Sequence, residues 1–394
     1  MPFEDVSAMS QRLDFVCLAL SPQANIRELC RRFGISSRTA YKWIHRYQQD
    51  GMQALQEQSR RPKNSPRETS QQMQELIQKL REDHPAWGAR KLAARLNAMG
   101  HPNVPHPSTI TQILRRVDLI DPKQSDKHKA HQRFERSEPN ALWQMDFKGH
   151  LPMGEGQSGE EQRSPGYGRC HPLTILDDHS RFSLCIAACA NERYETVRDV
   201  LIPCFERYGM PQQILCDNGA PFGSPYSDTG IRSYTRLEVW LMRQQITTIH
   251  GRPAHPQTQG KDERFHRTLL AEGLRHPLRD LTHSQQIFDR FREMYNHERP
   301  HQALDYATPS SRYRPSPRVF RLDPPIVYDP SDIVRKVQQG GALHFQGRVH
   351  SVTKALRGYP VAIRPTLVDG TFDVYFCTTR VGRIDLREEA RSDW

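Results

Sequence analysis

At 394 residues the chain has room for two to four domains. It carries 56 Lys+Arg against 45 Asp+Glu, a formal +11, and contains no apolar run near the roughly 18 residues that a membrane-crossing helix needs. Its eight cysteines (17, 30, 170, 185, 189, 204, 216 and 377) include no Cys-x-x-Cys pair, so they read as small core residues of a reduced cytoplasmic protein rather than a disulfide framework. The basic excess is uneven. Residues 1–138 hold 23 Lys+Arg against 15 Asp+Glu, a net +8, and residues 139–394 hold 33 against 30, a net +3. An N-terminal part that grips a polyanion accounts for this skew, and a plain solubility charge is the blander reading.

Within an expected domain over residues 1–60, residues 10–55 are expected to be helical. Ile26, Leu29, Cys30 and Phe33 recur at i, i+3, i+4 and i+7, Gly34 ends that helix, and Ser36 or Ser37 can cap the next. Ala40, Ile44 and Tyr47 continue an apolar face, leaving Arg38, Thr39, Lys42 and Arg46 outside. A short helix, a Gly turn and a second helix with a cationic outer face fit a helix-turn-helix whose second helix enters the major groove, against an ordinary helical hairpin. Residues 66–120 repeat the theme less firmly. Ala89, Leu92, Ala93 and Leu96 form one stripe, and Ser108 is expected to cap a helix with Ile110, Ile113, Leu114 and Val117 as the next.

Residues 121–138 are polar and charged, as suits a linker. From 139 to 310 strand-like runs (142–147, 171–177, 182–190, 213–217, 246–250) mix with helical patterns (193–208, 231–244, 260–274, 284–297), which predicts a mixed α/β layer. Polar inserts fall at 152–169 and 219–230. Short alternating runs within 325–394, at 342–345, 348–351, 360–364, 372–377 and 382–386, predict a small antiparallel β-barrel.

Three acids in this frame stand out. Asp146 lies within the first strand, Asp217 ends another just before Asn218-Gly219, and Glu263 opens a helix among Lys261, Arg264 and Arg267. Carboxylates beside a hydrophobic core need compensation. A hard divalent cation supplies it, and magnesium is held by few carboxylates plus water and phosphate oxygens. Two such ions, with manganese able to substitute, would clamp an in-line displacement at phosphorus. Around this centre, His255, Gln257, Gln259, Lys261, Arg264 and Arg267 are placed for contacts with DNA. Asp178 is expected to cap Ser180 or pair with Arg181, and Arg299 to serve packing.

Five motifs occur in order: Trp-Gln-Met-Asp-Phe (143–147), Leu-Asp-Asp-His-Ser-Arg (176–181), Cys-Asp-Asn-Gly (216–219), His-Pro-Gln-Thr-Gln-Gly-Lys-Asp-Glu-Arg-Phe-His-Arg-Thr-Leu (255–269) and Tyr-Asn-His-Glu-Arg-Pro-His-Gln-Ala-Leu (295–304). Jointly they resemble the bacterial insertion-sequence transposases with a retroviral-integrase-type core. That resemblance implies an RNase H-like catalytic core, the metal-binding acids Asp146, Asp217 and Glu263, magnesium dependence, and strand transfer of transposon ends into double-stranded target DNA. Forty-five residues separate Asp217 from Glu263, more than the family's usual spacing, and the loop at 219–230 absorbs the surplus. Asp262 competes with Glu263 for the third position. A helix turns about 100° per residue, so one of the two faces the metals, and the family motif, with its acid directly before Arg-Phe, selects Glu263. No zinc-module spacing is present. Two element ends must meet, which implies a dimer or higher synaptic complex. A catalytically silent DNA-binding regulator and a nuclease without joining activity are the competing readings.

Overall fold

The computed structural model describes residues 8–57, 68–120, 135–154, 168–223, 233–251, 260–275 and 277–387. The chain divides into two compact units, Met1–Glu68 and Thr69–Trp394.

In the first unit, α1 (Ala8–Ala19), α2 (Ile26–Arg32) and α3 (Ser37–Asp50) enclose Phe15, Val16, Cys30, Ala40, Trp43 and Leu55. Asn25 caps α2 by accepting from the Arg27 and Glu28 amides. Gly34, at φ +64°, reverses the chain, and the Ser36 hydroxyl accepts from the Thr39 amide at 3.2 Å to start α3. Trp43, absent from the expected apolar face, is its largest buried member, with Ile44 and Tyr47 half-buried beside it.

The second unit begins with α4 (Gln71–Asp83), α5 (Ala89–Ala98) and α6 (Pro107–Arg116), packed around Ile77, Trp87, Leu92, Leu96, Ile110 and Leu114. The cap of α6 is His106, not Ser108. Pro107 takes the first helical position, where its missing N–H is no loss, and His106 Nδ1 receives the Ser108 amide at 3.4 Å. These helices dock on the sheet-bearing body that follows: Trp87 Nε1 donates to Glu272 at 3.0 Å, and Arg95 pairs with Glu298 at 2.6 Å.

That body is a mixed sheet in the order β4–β3–β1–β5–β6, made of β1 (Leu142–Phe147), β3 (Arg169–Asp177), β4 (Ser183–Cys189), β5 (Gln213–Cys216) and β6 (Thr247–His250). A short β2 (Leu151–Pro152) lies beside the start of β3. β1 and β4 run antiparallel to β3, and β1, β5 and β6 are mutually parallel. Alternation decides the faces. Trp143, Met145, Leu173 and Ile175 meet α7 (Tyr194–Tyr208) and α8 (Arg236–Arg243) through Leu201, Phe205, Leu237 and Trp240. Cys170, Leu176 and Ile186 meet α9 (Gly260–Thr268) and α10 (Leu281–His297) through Phe265, Phe288, Phe291 and Tyr295. Asp146 and Thr174, paired across β1 and β3, therefore project toward α9.

α10 also covers the outer margin of β4. Gln285 accepts from the Ala188 amide and donates to the Ile186 carbonyl, both at 2.9 Å. Asn296 brackets Ser183 in the same way at 2.8 and 2.9 Å, and Arg292 donates to the Leu184 carbonyl at 3.2 Å. α9 ends in a π-turn over Leu269–Gly273, which carries Glu272 inward to a buried, forked pair with Arg299 at 3.0–3.1 Å.

At the C-terminal end the expected antiparallel strands form an open sheet, β12–β11–β10–β7, with a separate β8–β9 hairpin. Their bounds are β7 (Ile333–Lys336), β8 (Ala342–Phe345), β9 (Arg348–Ser351), β10 (Pro360–Pro365), β11 (Thr371–Phe376) and β12 (Thr379–Asp385). No closed barrel forms among the described residues. The turn Gln339–Gly341, with Gly340 and Gly341 at φ +76° and +87°, swings the chain out of the sheet after β7. The hairpin then packs Leu343 and Phe345 against Val361, Ile363, Val374 and Phe376, and Val239 and Met242 of α8 join the same core.

Candidate active site

Asp146 and Asp217 reach the site from neighbouring strands. β1 and β5 are parallel, with Leu142, Trp143 and Gln144 opposite Gln213, Ile214 and Leu215, and the same one-for-one register carried forward brings positions 146 and 217 level at the strands' C-terminal ends. This is where ligands bind in open α/β sheets. The Asp146 side chain is 23% exposed. Burial and then the charge of Asp217 push its pKa up to about 7, against a partial offset from the Phe147 amide and Lys148. Burial raises Asp217 as well, while the Gly219 amide, 3.1 Å from its Oδ1, and the positive charge of His250 hold it down.

His250 sits between two oxygens. Its Nδ1 lies 2.8 Å from the Asp217 carbonyl, and its Nε2 lies 3.0 Å from Oε1 of Glu238, a carboxylate buried in the capping box that opens α8. Asn218 donates to the Gly251 carbonyl at 2.8 Å, tying the turn after β5 to the end of β6.

α9 presents two faces. Asp262, Phe265, His266 and Leu269 are buried, while Glu263, Arg264 and Arg267 are exposed. His266 Nε2 meets the Thr174 hydroxyl at 2.8 Å, and its Nδ1 is 3.9 Å from Asp146 Oδ2. Burial and then Lys148 lower the pKa of His266 to about 4, so the ring is neutral at pH 7. Lys261 is not turned outward: its ammonium donates to Asp178, which also receives Gln144 Nε2 at 2.6 Å and the Arg136 amide at 2.8 Å. The expected partners of Asp178 go elsewhere. Ser180 is capped by Asp177, and Arg181 pairs with Glu135 at 2.8 Å.

The structure thus brings Asp146 and Asp217 into electrostatic contact, and the α9 acid that faces Asp146 is Asp262, whose ionisation is opposed by burial, then by Asp146 and Asp178. Glu263 stands one residue further round, on the exposed face. Among the described residues no group of three or more His, Cys, Asp or Glu side chains is placed to hold a metal ion. In the first unit Arg38 and Lys42 are exposed on α3, and Thr39 and Arg46 are half-buried. The Thr39 hydroxyl is engaged by Ser36 at 2.9 Å, and the Arg46 guanidinium stacks 5.2 Å from the Trp43 ring. His255, Gln257 and Gln259 lie outside the described residues. Arg299 serves packing, as expected. His250, Glu238, His266 and Thr174 escaped the sequence reading. For His266 a signal existed, since it sits four residues after Asp262 inside a quoted motif.

Comparison with known families gives partly overlapping matches along the chain. Integrase core domains match residues 136–256 and 244–309. A helix-turn-helix domain matches 11–63, and a homeodomain-like domain matches 39–114. Residues 11–114 thus match helix-turn-helix and homeodomain-like models, and residues 136–309 match integrase core models. The C-terminal part is more particular: residues 332–392 match the C-terminal domain of IS481 family transposases.

Solved structures with likeness include the HTLV-2 integrase catalytic core domain in complex with magnesium (14% identity, 45% of this chain and 99% of that chain, TM-score 0.32). A simian T-cell lymphotropic virus intasome in complex with PP2A regulatory subunit B56 gamma is also similar (14%, 78% and 95%, TM-score 0.36). So is the BIV integrase catalytic core domain (19%, 44% and 92%, TM-score 0.30). Among the described residues no helix is long and apolar enough to cross a membrane.

Proposed function

We propose that the chain is a transposase that binds the terminal inverted repeats of its element and catalyses magnesium-dependent 3′-end cleavage and strand transfer into target DNA. The observation that carries this reading is the Asp146–Asp217 pair, level at adjacent strand ends, both raised in pKa by burial, with the charge of Asp217 raising Asp146 further. A divalent cation offsets that charge. An all-oxygen donor set suits magnesium, or manganese in its place, and one or two carboxylates suffice because water and phosphate complete the octahedron.

Asp146, Asp217 and Glu263 are the proposed holders of two ions. Bound there, the metals would activate the attacking oxygen and neutralise charge on the phosphate. The protein's own share is positioning. Thr174 donates to the Asp146 carbonyl at 3.1 Å and meets His266, which steadies the end of β1. Glu238 holds His250 against Asp217. Arg264 and Arg267, exposed beside Glu263, offer phosphate contacts, and Lys261 orients α9 through Asp178. His255, Gln257 and Gln259 complete the proposed DNA surface of the core, while Arg38, Thr39, Lys42 and Arg46 on α3 would read the repeat in the major groove. Two ends must be joined, so the active form is a dimer or larger assembly on DNA in the cytoplasm.

The test is an assay on DNA fragments that carry the element ends, with Mg²⁺. Joined products support a transposase, cleavage alone points to a nuclease, and a gel shift alone points to a silent regulator. Asp146→Asn and Glu263→Gln should abolish chemistry and spare binding; joining by either variant would sink the assignment of these acids.

A further inference from the structure

The middle of α8 has no solvent-facing stripe: every residue from Leu237 to Met242 is buried. A helix covered all round lies between two packed bodies. Leu237, Trp240 and Leu241 enter the core of the mixed sheet, whereas Val239 and Met242 enter the core of the C-terminal sheet. The turn Lys354–Leu356 lies against α8, and Thr353 Oγ1 receives the Tyr234 amide at 3.5 Å just ahead of the helix. At the far end the Arg243 guanidinium sits 5.8 Å over the Tyr359 ring. The C-terminal sheet is therefore seated on a helix of the catalytic body.

Glu238 is the acid within this run, and it is 1% exposed. Its two oxygens serve different partners. Oε2 accepts from the Thr235 amide at 2.7 Å, and Oε1 lies 3.0 Å from His250 Nε2. On the other side of the ring, Nδ1 lies 2.8 Å from the Asp217 carbonyl. A carbonyl can only accept, so Nδ1 carries a proton, and the ring is held at both nitrogens. The turn after β5 is fastened to the same place. Asn218 donates to the Gly251 carbonyl at 2.8 Å, and the Gly219 amide donates to Asp217 Oδ1 at 3.1 Å. Where Glu238 sits thus decides where His250 sits, and His250 fixes the backbone that aims the Asp217 carboxylate.

We propose that the C-terminal sheet is a positioning element for Asp217, acting through α8. Val239 and Met242 seat the helix, and Glu238 passes that seating to His250 and the turn after β5. The inference rests on the reading of Asp217 as a site acid, but its readouts need neither metal nor DNA. Amide hydrogen exchange over 213–219 and 247–251 is measured on the full chain, and ¹⁵N-histidine NMR reports the His250 tautomer. Leu356→Ala and Val239→Ala disturb the seat from its two sides, and Glu238→Ala removes the link itself. Leu92→Ala, a cavity in the core of α4–α6, controls for general loosening.

The first three variants should exchange about tenfold faster over 213–219, the scale of coupling within one packed network, and Leu92→Ala should not. Glu238→Ala should also lose the fixed Nδ1–H form of His250. Glu238→Gln should keep it, because its amide can donate to Nε2 while its oxygen accepts from Thr235. Wild-type exchange over 213–219 in both Leu356→Ala and Val239→Ala overturns the inference, whatever these variants do to DNA. Equal acceleration in Leu92→Ala overturns it too. A wild-type protein that shows the coupling but never cleaves or joins element ends sinks the transposase reading and leaves the coupling standing.

Discussion

The ammonium of Lys261 is bound to the carboxylate of Asp178, joining the first turn of α9 to the end of β3. Asp178 is fully buried and Lys261 is 19% exposed. The pair fixes how α9 is rotated about its axis, and so which of Asp262 and Glu263 looks toward Asp146. Removing one partner leaves a buried charge. Lys261→Met is expected to lower unfolding free energy by about 3 kcal/mol in urea titration, and adding Asp178→Asn should restore most of it. A loss below about 1 kcal/mol, given that magnitude, would mean the pair does not hold the helix.

The Asp146 pKa of about 7 against an ordinary 3.8 sets a pH window. Between those values the folded chain binds more protons than the unfolded chain. Its contribution to stability is complete below 3.8 and is lost as pH rises through about 7. Asp146→Asn should therefore gain stability over metal-free wild type progressively from about pH 4 to pH 7, reaching on the order of 2–4 kcal/mol, then level off. His266 titrates in the same window with the opposite sign, but it is present in both proteins and cancels to first order. Melting curves in chelator at pH 5, 6, 7 and 8 decide it. Curves that stay parallel across the series contradict the expectation.

Glu272 is shared by Trp87 Nε1 and the fork of Arg299, so it links α4–α6 to the sheet-bearing body. Glu272→Gln leaves a buried guanidinium without its counter-charge, and about 3–5 kcal/mol should be lost. Arg299→Lys should recover little, because an ammonium cannot reproduce the two-pronged geometry. Amide hydrogen exchange would show α5 and α6 opening first in Glu272→Gln; uniform protection across the chain would argue against the link.

On α3, Arg38 and Lys42 are exposed, and the proposed function sets them against phosphate or base edges. Replacing one phosphate-contacting cation by alanine should reduce the slope of log affinity against log salt by about 1. A residue that reads a base edge should instead flatten discrimination between repeat and random DNA. Measuring both quantities for Arg38→Ala and Lys42→Ala assigns each side chain, and no change in either quantity removes it from the interface.

Much of the fold was legible because burial has a period. The runs at 142–147, 171–177 and 213–217 became central strands, and the helical stripes landed within a few residues of α7, α9 and α10. The rotation of α9 was legible too, had Asp262 been counted with Phe265, His266 and Leu269. Those four fall at i, i+3, i+4 and i+7, and packing of the apolar pair carries the acid inward with it. Contacts between distant residues were not legible: Trp87 and Glu272 are 185 positions apart, and the π-turn that delivers Glu272 has no period of its own. Strand alternation likewise cannot say whether a sheet closes, so the C-terminal strands read as a barrel. β7, with two cations in four residues, went unseen.

The amide side chains that α10 lays along β4 have a consequence for growth of the sheet. Ser183, Leu184, Ile186 and Ala188 have outward backbone groups already satisfied by Asn296, Arg292 and Gln285, so a foreign strand finds no template there. Within this sheet, pairing of two copies by strand addition would have to begin at the opposite margin, along β6.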